Sequence, residues 1–181
     1  MLSLRVWLSW LAWGLAFGAA VALVKGDGAG IRDAVGNLSA PWLVLPFLSG
    51  RGRGRAAAAA LLGALTSLAS VAAFCLCESG AFLHIYPSVA AADSSGLVQR
   101  IALGAVVSGP VMALLGLWWA RTRSRAAGLA VGLAFALEPL AVWLYPRLEG
   151  YRPQLDHPGV YAAEVFAGVL TCIMMLRYRR A

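Results

Sequence analysis

Residues 51–77 read RGRGRAAAAALLGALTSLASVAAFCLC, an arginine-rich turn followed by a long run of apolar and small residues. The run begins at Ala56 and contains no charged residue. As a helix rising ~1.5 Å per residue, it is long enough to cross the ~30 Å hydrocarbon core of a bilayer. Arginines at the end of such a segment are typical of the cytoplasmic side. This stretch therefore predicts a transmembrane helix that starts at the inner face of a membrane.

The same arrangement recurs along the chain. Arginine clusters at 51–55, 121–125 and 177–180 occupy every second gap between apolar segments, and Arg5 precedes the first segment. None of the eight acidic residues lies in those gaps. We therefore expect an all-α polytopic membrane bundle of six transmembrane helices, with both termini cytoplasmic. It should form a single domain over residues 1–181, with helices at about 6–24, 35–50, 56–77, 97–120, 126–145 and 158–176.

The composition agrees with this class. Hydrophobic residues make up 61% of the chain and charged residues 13%, against about a quarter charged in soluble domains. A net charge of +7 would suggest nucleic acid for a soluble protein, but orientation and anionic lipid account for it here. The expected environment is the lipid bilayer of the inner (plasma) membrane, with no nucleic-acid partner. The preference for arginine over lysine, with abundant alanine and glycine, indicates a bacterial, GC-rich origin.

The second apolar segment and the longest connection leave alternatives open. Residues 38–48 are interrupted by Pro41 and Pro46, and they span only if the helix begins near Ile31; a re-entrant segment is the alternative. The arginines at 51–55 favour a crossing. Residues 78–96 should form an exterior connection, either a lid over the bundle or a passive interfacial loop.

Two rows of small residues lie on the first segment. Ala12, Ala16 and Ala20 form one row at fourfold spacing, and Gly14, Gly18 and Ala22 form another. Helices in lipid adhere through such rows because small side chains allow close approach. The rows predict either packing inside the bundle or an outward face for a partner helix.

Glu138 and Glu164 are the most informative single residues, because a carboxylate in hydrocarbon costs ~2.5–3.5 kcal/mol unless it faces a cavity or a partner. Counting from Arg125 places Glu138 ~20 Å above the cytoplasmic edge, and Glu164 lies ~9 Å below the outer edge. Both are thus expected at one level in the outer third of the bilayer. Other polar residues near this level are Arg100, Asn37 and Asp33.

Three interpretations of this level remain open. The first is a satisfied polar cluster that braces the bundle, with one glutamate paired to Arg100. The second is a small-solute pocket open to the exterior, formed by Glu138, Glu164, Arg100, Asn37 and Asp33. The third is a proton relay between two carboxyl groups.

Signs of catalysis are weak. There is no phosphate-binding glycine loop, nucleophile elbow or His-Glu-x-x-His run in the sequence. The sequence has three cysteines, an odd number, and all of them lie at or inside apolar segments. We therefore interpret Cys75, Cys77 and Cys172 as packing residues. His84 and His157 are expected in exterior loops as solvated side chains. We therefore expect no enzyme, no catalytic residues, no cofactor and no metal.

Two resemblances add expectations. One pattern in the sequence consists of Asn37, Pro41-Trp42, Phe47-Leu48 and Gly50, then the arginine-rich turn, Gly109-Pro110 and Glu164. This pattern resembles that of a family of small actinobacterial integral membrane proteins of unknown function. That resemblance implies a membrane location and assigns no catalytic residue. A looser similarity is to the substrate-capture subunits of energy-coupling-factor vitamin transporters. It implies six helices, an exterior-facing ligand pocket and an alanine row, here Ala12, Ala16 and Ala20, that docks a partner helix.

Overall fold

The computed structural model describes residues 3–25, 30–52, 54–85, 90–148 and 157–177, without the side chains at 78–85, 90–98, 100 and 145–148. Within these ranges the chain is helical and contains no strand. The helices are α1 (Leu4–Lys25), α2 (Gly30–Gly36), α3 (Pro41–Ser49), α4 (Ala56–Ile85), α5 (Ala90–Thr122), α6 (Arg125–Leu148) and α7 (Pro158–Arg177).

Five helices are long and apolar enough to cross a membrane. They contain the spans Leu4–Lys25, Ala56–Cys77, Ile101–Thr122, Arg125–Leu144 and Pro158–Arg177. Many of their large apolar side chains point away from the protein; Leu76, for example, is 74% exposed. Lipid is the solvent in which such a surface is stable. The expected all-α class is thus confirmed, together with five of the six predicted segments as long apolar helices.

The second predicted segment is not one helix over 35–50 but two short helices, α2 and α3. The break falls at 37–40, immediately before Pro41. Proline has no backbone N–H, and its ring clashes with the carbonyl four residues earlier, so α2 cannot continue through this position. Pro41 is instead tolerated as the first residue of α3, where no N–H is required.

Close helix contacts at glycines fix the helix directions. Gly14 of α1 lies against Thr66 of α4, and Gly18 lies against Ser70. Moving four residues forward in α1 therefore corresponds to moving four residues forward in α4. Helices α1 and α4 are therefore parallel. The segment between them, α2 with α3, must bring the chain back from one end of the bundle to the other.

The remaining long helices are antiparallel pairs. Gly63 of α4 meets Gly109 of α5 backbone to backbone, and Gly132 of α6 meets Gly168 of α7. Helix α3 packs between α4, α5 and α6, and its Trp42 stacks edge-on against both Phe17 and Phe74. Helix α3 is therefore an interior element of the bundle.

The two small-residue rows of α1 have different surroundings. Gly14, Gly18 and Ala22 are buried, and a methyl group on Gly18 would clash with the carbonyl oxygen of Ser70. Ala12, Ala16 and Ala20 are exposed. The glycine row thus packs inside the bundle, and the alanine row faces outward.

The predicted exterior connection at 78–96 is mostly helical. Helix α4 continues to Ile85, and α5 begins at Ala90. Residues 86–89, which include Pro87, lie outside the described part of the chain. The expected lid or interfacial loop is therefore replaced, where the backbone is described, by extensions of two helices.

Candidate functional site

The break between α2 and α3 is held by Glu138, which α6 carries into the bundle. The backbone N–H of Ser39 donates to Oε1 of Glu138, and the N–H of Ala40 donates to Oε2. Pro41 has no N–H to satisfy, and the N–H groups of Trp42 and Leu43 donate to the carbonyls of Ser39 and Ala40. Every backbone donor at the start of α3 therefore has an acceptor.

This arrangement explains why a carboxylate is stable at a buried position. Glu138 is only 6% exposed, and both of its oxygens accept a hydrogen bond. Its negative charge also lies at the amino end of α3, where the helix dipole is positive. Such charge-assisted bonds are shorter and stronger than neutral ones. Glu138 is thus a structural cap for a helix that belongs to another part of the sequence.

Glu164 of α7 is in a different situation. It is 4% exposed, and neither of its carboxyl oxygens has a hydrogen-bond partner among the described residues. The carboxyl of Glu138 is close enough to interact with it, although the pair does not meet the geometry of a formed hydrogen bond. The structure therefore brings together the two glutamates that were expected at one level, with only one of them satisfied.

A cavity of about 470 Å³ opens beside Glu164. Small-molecule sites are typically clefts of ~300–1,000 Å³ with an apolar lining and few polar groups. This cavity follows that pattern, since its polar side chains are Glu164 and His157 and the rest of its lining is apolar or glycine. The lining comes from α2, α6, α7 and the residues that flank them: Ile31, Val35, Leu38, Phe135, His157, Gly159, Val160, Ala163, Glu164 and Ala167.

His157 was not expected at this site. It precedes α7 with a backbone φ of 61°, and its carbonyl accepts the N–H of Val160 at 2.9 Å, in the first turn of the helix. The side chain is exposed at the edge of the cavity. No sequence motif surrounds His157 that would have placed it there; the side chain of His84 lies outside the described part of the chain.

Two other predicted site residues, Asn37 and Asp33, are not among the residues that line the cavity. Asn37 is exposed and Asp33 is partly buried, and neither contributes to the cavity. Arg100 lies in α5, but its side chain lies outside the described part of the chain. The cavity is therefore less polar than the pocket that the sequence predicted.

A neighbour of Asp33 has a role that the sequence did not reveal. Arg32 donates from Nε to the carbonyl of Val24 at 3.1 Å and from Nη2 to that of Leu23 at 2.7 Å. These carbonyls belong to the last turn of α1, where a cation is favoured by the helix dipole. Arg32 thus fastens α2 to the end of α1 and helps to shape the cavity wall that α2 forms.

The carboxyl oxygens of Glu164 lie buried in the wall of this mainly apolar cavity. Within the described ranges, no group of three or more His, Cys, Asp or Glu residues could hold a metal ion, and the cysteines Cys75, Cys77 and Cys172 are free thiols. Comparisons of the chain with protein-family models, with curated proteins and with solved structures found no match.

Proposed function

We propose that this chain is a multi-pass protein of a bacterial inner membrane that binds a small solute in the cavity between α2, α6 and α7. In this proposal α2 with α3 forms the second of six crossings. The parallel directions of α1 and α4 support it, because they require a return of the chain between them. The one-sided arginines support cytoplasmic termini and a cavity at the exterior face.

The ligand class follows from Glu164. A buried polar group without a partner is costly, and a ligand that donates to it recovers that cost. An ammonium group beside this carboxyl favours its ionised form, which only accepts hydrogen bonds, and carboxylates in a membrane normally face an opposite charge or a cavity. We therefore propose an organic amine with an apolar body, its ammonium group at Glu164 and its body against the side chains of Val35, Phe135 and Val160.

Glu138 strengthens the preference for a cation. Both of its oxygens are already occupied by backbone donors of Ser39 and Ala40, so it does not need the ligand as a partner. Its charge nevertheless lies next to Glu164, and two neighbouring carboxylates attract a cation more strongly than one. An anionic solute would be repelled by the same pair.

A binding experiment tests this proposal. Purified protein in detergent is titrated with apolar amines, with alcohols of the same shape and with the matching carboxylic acids, and binding is followed by calorimetry and thermal unfolding. We expect binding of amines only, and a loss of roughly tenfold or more in affinity for Glu164→Gln, since a charged hydrogen bond contributes ~1.5–3 kcal/mol. Equal amine affinity in the wild type and Glu164→Gln, or binding of the acids, would contradict it.

A structural role is the second candidate, and the cap on α3 favours it. If the carboxyls only brace the bundle, Glu138→Gln should lower stability, and no amine should bind to the folded wild type.

Transport of the solute is a separate question from binding. If the protein also moves its solute, reconstituted vesicles should accumulate the amine, and Glu164→Gln should abolish that uptake.

A further inference from the structure

Two arginines from different turns meet on one tryptophan at the end of the bundle opposite the cavity. The guanidinium carbon of Arg51 lies 4.4 Å from the centre of the Trp119 ring, and that of Arg123 lies 4.9 Å from it. Trp119 is 8% exposed and packs against Phe47 of α3 with ring centres 6.3 Å apart. The buried indole therefore has a fixed position, and two exposed guanidinium groups lie against it.

The backbone positions both arginines. Arg51 follows α3, and its N–H donates to the carbonyl of Leu48 at 3.1 Å. Arg123 ends α5 in the left-handed region, with φ 52°, and its N–H donates to the carbonyl of Trp119 at 2.8 Å. A third arginine, Arg121, donates from Nη2 to the carbonyl of Gly54 at 2.8 Å and so ties the two turns together. The backbone at both arginines is therefore fixed by hydrogen bonds.

Within the described part of the chain, no acidic side chain lies beside this cluster. The acidic side chains that the structure describes, Asp33, Glu138 and Glu164, belong to the cavity end of the bundle, and the sequence has no acidic residue at 34–77 or 94–137. Two cations that share one ring repel each other, and an anion between them removes that repulsion. The planar guanidinium group presents donors that match the oxygens of a phosphate.

We propose that Arg51 and Arg123, resting on Trp119, form a binding site for the phosphate group of an anionic phospholipid. The cluster lies in the turns that follow α3 and α5, where a bundle of this length meets the lipid headgroups. The site is separate from the cavity and does not depend on its ligand. Its chemistry would also fit free phosphate, so the experiment distinguishes the two sources.

Native mass spectrometry of the full chain in detergent measures binding of the first phosphatidylglycerol molecule, with phosphatidylcholine and inorganic phosphate titrated in parallel. We expect the double variant Arg51→Gln/Arg123→Gln to bind phosphatidylglycerol roughly tenfold more weakly. The matched control is Arg5→Gln/Arg177→Gln, which removes the same charge from two exposed arginines outside the cluster. We expect it to keep nearly the wild-type affinity.

A further variant separates a built site from general attraction. The variant Arg51→Lys/Arg123→Lys keeps the charge but loses the planar guanidinium groups with their paired donors. We therefore expect its affinity for phosphatidylglycerol to lie between those of the wild type and the glutamine variant. Equal losses in the cluster and control variants, or full affinity in the lysine variant, would overturn the proposal. Binding of inorganic phosphate as tight as that of the lipid would overturn the assignment to a phospholipid. Thermal unfolding of each variant verifies that it is folded.

Discussion

The carboxylate of Glu138 accepts a hydrogen bond from the backbone N–H of Ala40, a residue 98 positions earlier in the chain. Together with the bond from Ser39, it supplies the amino end of α3 with acceptors that the local sequence does not contain, since Ala40 has no capping side chain. The start of a buried helix is therefore defined by a residue of α6.

Replacing Glu138 by glutamine should destabilise the protein. The amide keeps one acceptor oxygen but loses the other and the charge, so we expect a loss of about 2 kcal/mol in the free energy of unfolding. Chemical unfolding of the detergent-solubilised protein measures it. Glu164→Gln is the control, because that carboxyl makes no hydrogen bond to the described residues. Equal losses in both variants would contradict the capping role.

Filling the cavity should prevent ligand binding without removing any charge. Ala163 and its neighbour Ala162 are both exposed, but only Ala163 lines the cavity. We expect Ala163→Phe to lose amine binding by roughly tenfold or more and Ala162→Phe to retain it, as measured by calorimetry. The proposed position of the ligand is wrong if the two variants bind equally.

The contact between α1 and α4 should not tolerate one added methyl group. At Gly18 that group would clash with the backbone of Ser70, whereas at Gly104 nothing lies within 4 Å. We expect Gly18→Ala to lower the free energy of unfolding by about 1–3 kcal/mol, as overpacking does. Gly104→Ala should be neutral or slightly stabilising, because alanine favours helices. Similar unfolding curves for both variants would contradict the prediction, because they would show that α1 and α4 move apart at little cost in free energy.

The proposed orientation can be measured with single cysteines. Cys75, Cys77 and Cys172 are replaced by alanine, and one cysteine is placed at Asn37 or at Gly52, both of which are exposed. In intact cells an impermeant maleimide should label position 37 and not position 52. Disrupted cells provide the control, in which both should react. Labelling of position 52 from outside would reverse the orientation or remove the second crossing.

The long helices could be predicted because each depends on a property of its own segment. A run such as Ala56–Cys77 crosses a membrane for reasons of length and polarity that need no partner. The position of the break was also marked in the sequence, since Pro41 is typical of the first residue of a helix. The prediction of one helix over 35–50 nevertheless followed the apolar pattern across this proline.

The site could be predicted only in part. Counting residues along two helices was enough to place Glu138 and Glu164 at one level, because helix rise is regular. Their different partners were not predictable, since Glu138 bonds to backbone groups of a distant segment and backbone donors carry no residue-specific signal. Similarly, two small-residue rows on α1 were visible, but the sequence did not distinguish the buried glycines from the exposed alanines.

Helix α3 has nine residues, among them Pro46, and three of its neighbours, α4, α5 and α6, are synthesised after it. Such a short element cannot span the hydrocarbon by itself when it leaves the ribosome. Its buried position is therefore complete only when those three later helices are present, since they supply most of its packing contacts. The acceptors that Glu138 provides for α3 likewise exist only after α6 has been synthesised.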